Sequence, residues 1–142
     1  MKFTNTITID RPLSQVFAYL ADLENLPRWN YAIGATRKIT AGPVDVGSRY
    51  LQTRTIPVHT EEQLEIIEFE PDHRLTIRGS LNSLPAQVTY TLRAEEGATF
   101  LTNTVDLQPP RHLKLVAPVA TLRIKSAVAA NLAVLKRTLE QA

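Results

Sequence analysis

The chain begins with a strand pattern that is followed by two short helical patterns. Polar and apolar residues alternate over residues 2–9, which predicts a β-strand. Pro12 suits the first turn of a helix, and apolar residues recur after it at helical spacing. A second short helix is predicted over residues 22–28, with Asp22 as its N-cap and its end near Pro27.

From Tyr31 to Leu107 the pattern changes to strands separated by turn residues. The predicted strands are residues 33–39, 48–56, 59–69, 75–80, 84–94 and 98–107. No helical pattern interrupts them, so consecutive strands are expected to pair antiparallel in a meander. With the first strand, the sequence predicts a seven-stranded sheet.

The remaining segment predicts one long helix. Apolar residues at spacings of three and four run from His112 to Gln141. Pro118 lies inside this segment, where it either kinks the helix or marks its true start. The order of elements is therefore strand, two short helices, six strands and a long helix. Such an order is an α+β fold, and we expect residues 1–142 to form a single domain.

The turns between the strands also predict which side chains share a face of the sheet. If each hairpin closes on its turn residues, the residue numbers of paired positions add to a constant. The predicted inner face consists of Tyr50, Gln52, Arg54, Glu62, Leu64, Ile66, Glu68, Leu75, Ile77, Gly79, Ala86, Val88, Tyr90, Leu92, Leu101, Asn103, Val105 and Leu107. This face is apolar in the later strands and mixed in the earlier ones. We therefore expect the later strands to pack on the long helix and the earlier ones to line a partly polar cavity.

Several segments resemble the SRPBCC superfamily, which has the helix-grip fold and includes START-like lipid-binding domains, pollen-allergen-like proteins and a polyketide cyclase/dehydrase-like group. The matching segments are residues 9–17 (IDRPLSQVF), 20–29 (LADLENLPRW), 42–43 (GP), 46–50 (VGSRY), 66–75 (IIEFEPDHRL) and 131–140 (NLAVLKRTLE). The resemblance implies a curved antiparallel sheet wrapped around the C-terminal helix, with an internal cavity. It does not specify an activity, because this fold serves many functions.

Candidate ligand-binding residues come from the predicted inner face, the second short helix and the long helix. They are Trp29, Tyr50, Arg54, Glu62, Leu64, Ile66, Ile77, Val88, Tyr90, Asn103, Val105, Val128 and Asn131. Trp29 is the single tryptophan and corresponds to an aromatic residue of the superfamily. It has two interpretations, as a wall of the cavity or as a core anchor for the short helices.

The polar members of this set also have two interpretations each. Tyr90 and Asn103 face each other in the predicted register, where they orient a ligand oxygen or satisfy each other's hydrogen bonds. Arg54 and Glu62 are also opposed. They form either a buried or semi-buried pair that polarises a carbonyl or holds a carboxylate, or a solvated pair worth well under about 1 kcal/mol. Asn131 lies on the apolar stripe of the long helix and is expected to meet a ligand, a water or a polar group of the sheet.

Composition excludes several classes of site. The chain has no cysteine, which excludes a disulfide scaffold, a thiolate metal site and a cysteine nucleophile. His59, His73 and His112 lie at predicted turns or ends without metal-ligand spacing, so neither a metal site nor a cofactor is predicted. The net charge of +2 is dispersed, which argues against a nucleic-acid partner.

The N-terminal residues lack the apolar core of a signal peptide, and basic residues interrupt the most apolar stretch, so no integral membrane segment is predicted. The absence of cysteine is typical of a reducing compartment, and a cytoplasmic location is expected.

Three functions remain open at this point. The favoured one is binding of a lipid, an isoprenoid or an aromatic polyketide in the cavity. The second is a cyclase or dehydratase acting in the same cavity, for which the titratable candidates are Arg54, Glu62, Glu68, Tyr90 and His59, with no catalytic residue assigned. The third is a protein-interaction module with an idle cavity. Homodimerisation is compatible with all three.

Overall fold

The computed structural model describes residues 1–81, 83–108, 111–113 and 117–142. The elements are β1 (Lys2–Ile9), α1 (Leu13–Ala21), a 3-10 turn (Leu23–Asn25), α2 (Leu26–Trp29), β2 (Ile33–Lys38), β3 (Arg49–Arg54), β4 (Thr60–Glu70), β5 (Arg74–Leu81), β6 (Leu84–Glu95), β7 (Ala98–Leu107), a 3-10 turn (Arg111–Leu113) and α3 (Ala117–Glu140). The predicted order of elements is confirmed, and the architecture is the helix-grip fold.

Within the described residues the strands form one seven-stranded antiparallel sheet, in the order β1-β7-β6-β5-β4-β3-β2. The predicted register of β5 with β6 and of β6 with β7 is confirmed, with Gly79 opposite Ala86 and Tyr90 opposite Asn103. The first strand pairs with the last, with Phe3 opposite Val105. The turn residues carry no information on that pairing, because β1 and β7 are not joined by a hairpin.

The predicted pairing of Arg54 with Glu62 is wrong by two residues. Gln52 lies opposite Glu62, and Arg54 lies opposite Thr60. A shift of two residues leaves every side chain on its predicted face, because side chains alternate with a period of two. Arg54 and Glu62 are therefore diagonal neighbours on the inner face rather than directly opposed.

A β-bulge in β4 corrects a second expectation. The register shifts between Ile66 and Glu68, so that Glu68 pairs with Thr76 and Phe69 pairs with Leu75. The extra residue reverses the face of the sheet to which each later side chain of β4 points. Glu68 consequently points away from the inner face and accepts a hydrogen bond of 2.7 Å from the Thr76 hydroxyl. Its predicted place on the inner face was wrong, which removes the reason for considering it as a catalytic candidate.

The short helices cover one end of the sheet. Asp22 accepts a hydrogen bond from the backbone N–H of Glu24 at 3.2 Å, so its predicted capping role is confirmed. Pro27 does not end the second helical piece. It lies in the first turn of α2, where the N–H that proline lacks has no intrahelical partner in any case. Trp29 is thereby placed at the last position of α2.

Helix α3 begins at Ala117, so Pro118 marks its start rather than a kink. The helix runs in the same direction as β1. Lys125 O accepts a hydrogen bond of 3.3 Å from the Asn5 side chain, and Lys136 donates one of 2.6 Å to the carbonyl of Thr8. The predicted helical residues 114–116 lie outside the described part of the chain.

The two halves of α3 differ in burial. Asn131, Leu132, Leu135 and Leu139 are buried, whereas the first half is half-buried or exposed, with Leu122 69% exposed. By length and composition the segment Pro118–Glu140 could cross a membrane, although no membrane segment was predicted from the sequence. In the fold its second half packs in the core, as the central helix of a globular domain does.

Candidate functional site

A pocket of about 110 Å³ lies between the inner face of the sheet and helices α2 and α3. Its walls are Leu26, Trp29, Asn30, Gln52, Arg54, Leu64, Ile77, Gly79, Ser80, Leu81, Ala86, Val88, Tyr90, Asn103, Val105, Val128 and Asn131. The apolar residues among them belong to or pack against two apolar clusters of the core, and Val88 and Val128 pack against both. The pocket is thus a gap between two parts of the core.

Most of the predicted ligand-binding residues lie in these walls. They are Trp29, Arg54, Leu64, Ile77, Val88, Tyr90, Asn103, Val105, Val128 and Asn131. Tyr50, Glu62 and Ile66 are buried but do not line the pocket. Trp29 satisfies both of its interpretations, because it is 5% exposed in the core cluster and also forms a wall.

The walls also contain residues that the site prediction omitted. Gln52, Gly79 and Ala86 were placed on the inner face but were not chosen. Leu26 enters from α2 and Asn30 from the position directly after it, and their approach depends on how that helix docks on the sheet. No periodic signal in a four-residue helix indicates which of its sides faces a pocket.

The polar wall of the pocket is built around a buried ion pair. Arg54 Nε donates to both carboxylate oxygens of Glu62, at 3.1 and 3.0 Å, and Gln52 Nε2 donates to Glu62 Oε1 at 3.0 Å. Arg54 and Glu62 are 7% and 4% exposed, so the interpretation of a solvated pair is wrong. Arg54 lines the pocket, whereas its partner Glu62 does not.

This arrangement follows from the register of β3 and β4. Glu62 accepts from Gln52 directly across the strands, and the longer arginine reaches it diagonally from two residues further along. Removing two charges from water is costly unless they are paired and hydrogen-bonded. Glu62 therefore both neutralises Arg54 and holds its side chain in place.

Tyr90 and Asn103 lie directly opposite each other on β6 and β7. Burial raises the pKa of the Tyr90 hydroxyl above its usual value. Tyr90 is therefore a neutral phenol at physiological pH. Neither Oδ1 nor Nδ2 of Asn103 meets the geometry of a hydrogen bond, so the two side chains do not satisfy each other.

Three amide side chains of the walls contain buried polar atoms without a hydrogen-bonding partner among the described residues. The unpaired atoms are Gln52 Oε1, Asn103 Oδ1, Asn103 Nδ2 and Asn131 Oδ1. Buried polar atoms in folded proteins are nearly always paired with protein or with water. Gln52, Asn103 and Asn131 all line the pocket, so water or a ligand held there would supply the hydrogen bonds that the described residues do not.

Two further candidates lie away from the pocket. Burial raises the pKa of Tyr50 to about 12, with smaller contributions from the negative charges of Asp22 and Glu24, and its hydroxyl has no partner in the described core. His59 is exposed in the β3–β4 connection and does not line the pocket. The proposal that either residue contacts a pocket ligand is therefore not supported by their positions.

His73 and His112 are also exposed. The described residues contain no group of three histidine, aspartate or glutamate side chains that could hold a metal ion.

Comparisons with known proteins agree with this architecture. In structure the chain is similar to TTHA0849 from Thermus thermophilus, with 14% identity and a TM-score of 0.77 over 98% of this chain and 97% of that one. It is similar to Ara h 8.0201, with 14% identity and a TM-score of 0.76 over 100% and 99% of the two chains. These identities establish a shared fold and nothing further.

A third similar structure is a larger protein, the di-domain ARO/CYC StfQ from the steffimycin biosynthetic pathway. The identity is 12% and the TM-score is 0.81 over 99% of this chain, which spans about half (50%) of that protein. No curated protein sequence matches the chain. The family described as "Polyketide cyclase / dehydrase and lipid transport" matches residues 1–140. The chain therefore belongs to the polyketide cyclase/dehydrase and lipid transport family.

Proposed function

We propose that the protein binds a hydrophobic small molecule in the pocket between the sheet and α3. The observation that carries this proposal is the composition of the walls, in which apolar side chains surround a few buried polar groups. Ligand pockets commonly combine apolar contact area with a few polar groups that orient the ligand. The family and the polyketide-pathway neighbours support a hydrophobic ligand.

The volume of the pocket bounds the size of that ligand. A cavity of about 150 Å³ accepts benzene in another protein, so a pocket of about 110 Å³ holds at most one ring without a movement of its walls. A larger lipid or polyketide requires a wall to move outward. Helix α3 contributes Val128 and Asn131 to the walls, and its first half is less buried than its second half, so displacing that part of the helix widens the pocket at least cost.

Filling the pocket from α3 is the direct test of binding. Val128 lines the pocket, and Val128→Phe should occupy the space of a ligand ring. Trp29 is the single tryptophan and also lines the pocket, so its fluorescence reports on occupancy. We expect toluene to change the emission of the wild-type protein and the affinity to fall at least about tenfold in V128F.

The matched control is Val119→Phe, because Val119 lies on the same helix but is 60% exposed and does not line the pocket. Its toluene affinity should equal that of the wild type. Equal affinities in V128F and V119F would refute binding at this site. Native mass spectrometry of the purified protein, followed by solvent extraction, would identify the chemical class of any co-purified passenger.

A cyclase or dehydratase activity is a second candidate, supported by the buried guanidinium of Arg54 at the pocket wall. A fixed donor of this kind stabilises negative charge on a carbonyl oxygen while solvent water takes the α-proton and an enolate forms. If the site acts in this way, it should accelerate exchange of the α-protons of acetylacetone with deuterium, measured by NMR. If the wild-type protein and the Arg54→Leu, Glu62→Leu double variant give the same exchange rate, this activity is excluded for acetylacetone.

A further inference from the structure

We infer that the ligand is a neutral, hydroxylated molecule whose hydroxyl hydrogens bind the amide oxygens of Gln52, Asn103 and Asn131. This inference rests on the proposed function and specifies the chemical class of its ligand. It follows from the kinds of polar atom that the fold leaves unpaired at the pocket.

The unpaired atoms are mostly acceptors. Gln52 Oε1, Asn103 Oδ1 and Asn131 Oδ1 can only accept a hydrogen bond, and Asn103 Nδ2 is the donor among these amide atoms. The three residues are 4%, 1% and 6% exposed, so bulk solvent does not satisfy them. A ligand that pairs with these oxygens must supply a hydrogen to each of them that water does not already satisfy.

Chemistry determines the orientation of the Gln52 amide. Its Nε2 donates to Glu62 Oε1 at 3.0 Å, and an ionised carboxylate can only accept. Exchanging the amide nitrogen and oxygen would place two acceptors against each other. The oxygen of Gln52 therefore lies on the side of the amide away from the carboxylate.

The charge of Arg54 does not favour an acidic ligand. Its Nε is bound to both oxygens of Glu62, so the pair as a whole is neutral. A carboxylate placed in the pocket would lose its hydrating water. No uncompensated positive charge lies beside it to offset that cost. The carboxylate would also face the three amide oxygens and could pair with none of them.

A hydroxyl group fits the same surroundings because it both donates and accepts. It can donate to an amide oxygen and accept from Asn103 Nδ2 or from the neutral Tyr90 phenol. A pure hydrocarbon would displace water from the amide oxygens without replacing the hydrogen bonds, which lowers affinity. The expected order of affinity is therefore hydroxylated ring, hydrocarbon ring, carboxylated ring.

Three single-ring ligands test this order. Resorcinol, toluene and benzoate have similar size and differ in donor content and charge. Titration of ¹⁵N-labelled protein followed by amide chemical shifts should give an affinity for resorcinol at least about fivefold higher than for toluene, with benzoate the weakest. Val128→Phe should weaken all three if they share the pocket.

Variants of Asn131 test whether its amide oxygen causes the preference for resorcinol over toluene. Asn131→Leu removes the acceptor and should lower the ratio of resorcinol to toluene affinity about fivefold, while toluene affinity stays the same or rises. Asn131→Asp retains acceptor oxygens and should keep resorcinol ahead of toluene. If the leucine variant does not fold, the wild-type ligand series and N131D still decide the question.

The outcomes separate the inference from the proposed function. Equal affinity for resorcinol and toluene, or strongest binding of benzoate, would overturn the inference and leave binding at the pocket intact. An unchanged affinity ratio in N131L would overturn the assignment to the amide oxygens. Absence of binding by all three rings would overturn the inference, and the proposed function falls with it if the purified protein also carries no passenger.

Discussion

Arg54 occupies a position in which a single side chain links the stability of the fold to the chemistry of the pocket. It forms a buried ion pair with Glu62 and also lines the pocket. Gln52 completes the environment of the carboxylate. These three residues come from adjacent strands, so their geometry depends on the register of β3 and β4.

The single and double variants of this pair should differ in stability. Arg54→Leu leaves a buried carboxylate without its cation, and we expect the free energy of unfolding to fall by about 3–5 kcal/mol. In the double variant with Glu62→Leu no unpaired charge remains, so the loss should be smaller than in either single variant. Urea unfolding of the four proteins measures this cycle. Additive losses would show that the pair is not coupled as described.

At the scale of elements, β4 and β5 combine two features that shape the site. The bulge in β4 turns Phe69 towards the core, where its ring lies 5.6 Å from that of Phe17 in an edge-on contact. Ahead of the bulge, Leu64 lies beside Gly79 of β5 and both line the pocket. The absence of a side chain at Gly79 lets the two strands approach.

Gly79→Ala should therefore be more costly than an ordinary glycine substitution in a strand. The added Cβ would lie 2.6 Å from Leu64 Cδ2 and 3.0 Å from the carbonyl oxygen of Gln63, and the backbone oxygen cannot move aside easily. We expect a loss of about 1–3 kcal/mol in the free energy of unfolding, measured by urea denaturation. In the control Gly34→Ala the closest atom is the Thr55 methyl at 3.0 Å, and the loss should be smaller. Equal losses would contradict the close packing at Gly79.

At the scale of the whole molecule, the sheet and α3 are joined most firmly at one end. The C-terminal turn of α3 binds the end of β1, because Glu140 accepts from the Asp10 backbone N–H at 2.7 Å and from Lys136 Nζ at 2.7 Å. Arg11 also donates to the carbonyl of Glu140. The first half of α3 is much less buried, and Val128 lies between the halves at the pocket.

Hydrogen exchange should reveal this difference between the halves of α3. Amide hydrogens in residues 131–139 are expected to exchange at least about tenfold more slowly than those in residues 121–127, because opening the second half exposes core leucines to water. Amide exchange followed by NMR gives the two rates. Uniform protection along the helix would show that α3 opens as one unit, and a larger ligand would then need a different entry route.

The sequence by itself determined the order of elements, most strand boundaries and the register of β5, β6 and β7. These features depend on local periodicity and on tight hairpins, whose turn residues specify pairing between neighbouring segments. Tyr90 and Asn103 were placed opposite each other for this reason. Most pocket-lining side chains followed, because alternation along a strand assigns each residue to a face.

The tertiary structure alone decided the features that depend on contacts between distant segments. They include the pairing of β1 with β7, the bulge that removes Glu68 from the inner face, and the docking of α2 that brings Leu26 to the pocket. The diagonal contact of Arg54 with Glu62 belongs with them, because a two-residue change of register keeps the face and changes the neighbour. Local patterns specify which side a residue faces, and only the assembled fold specifies which atoms it meets.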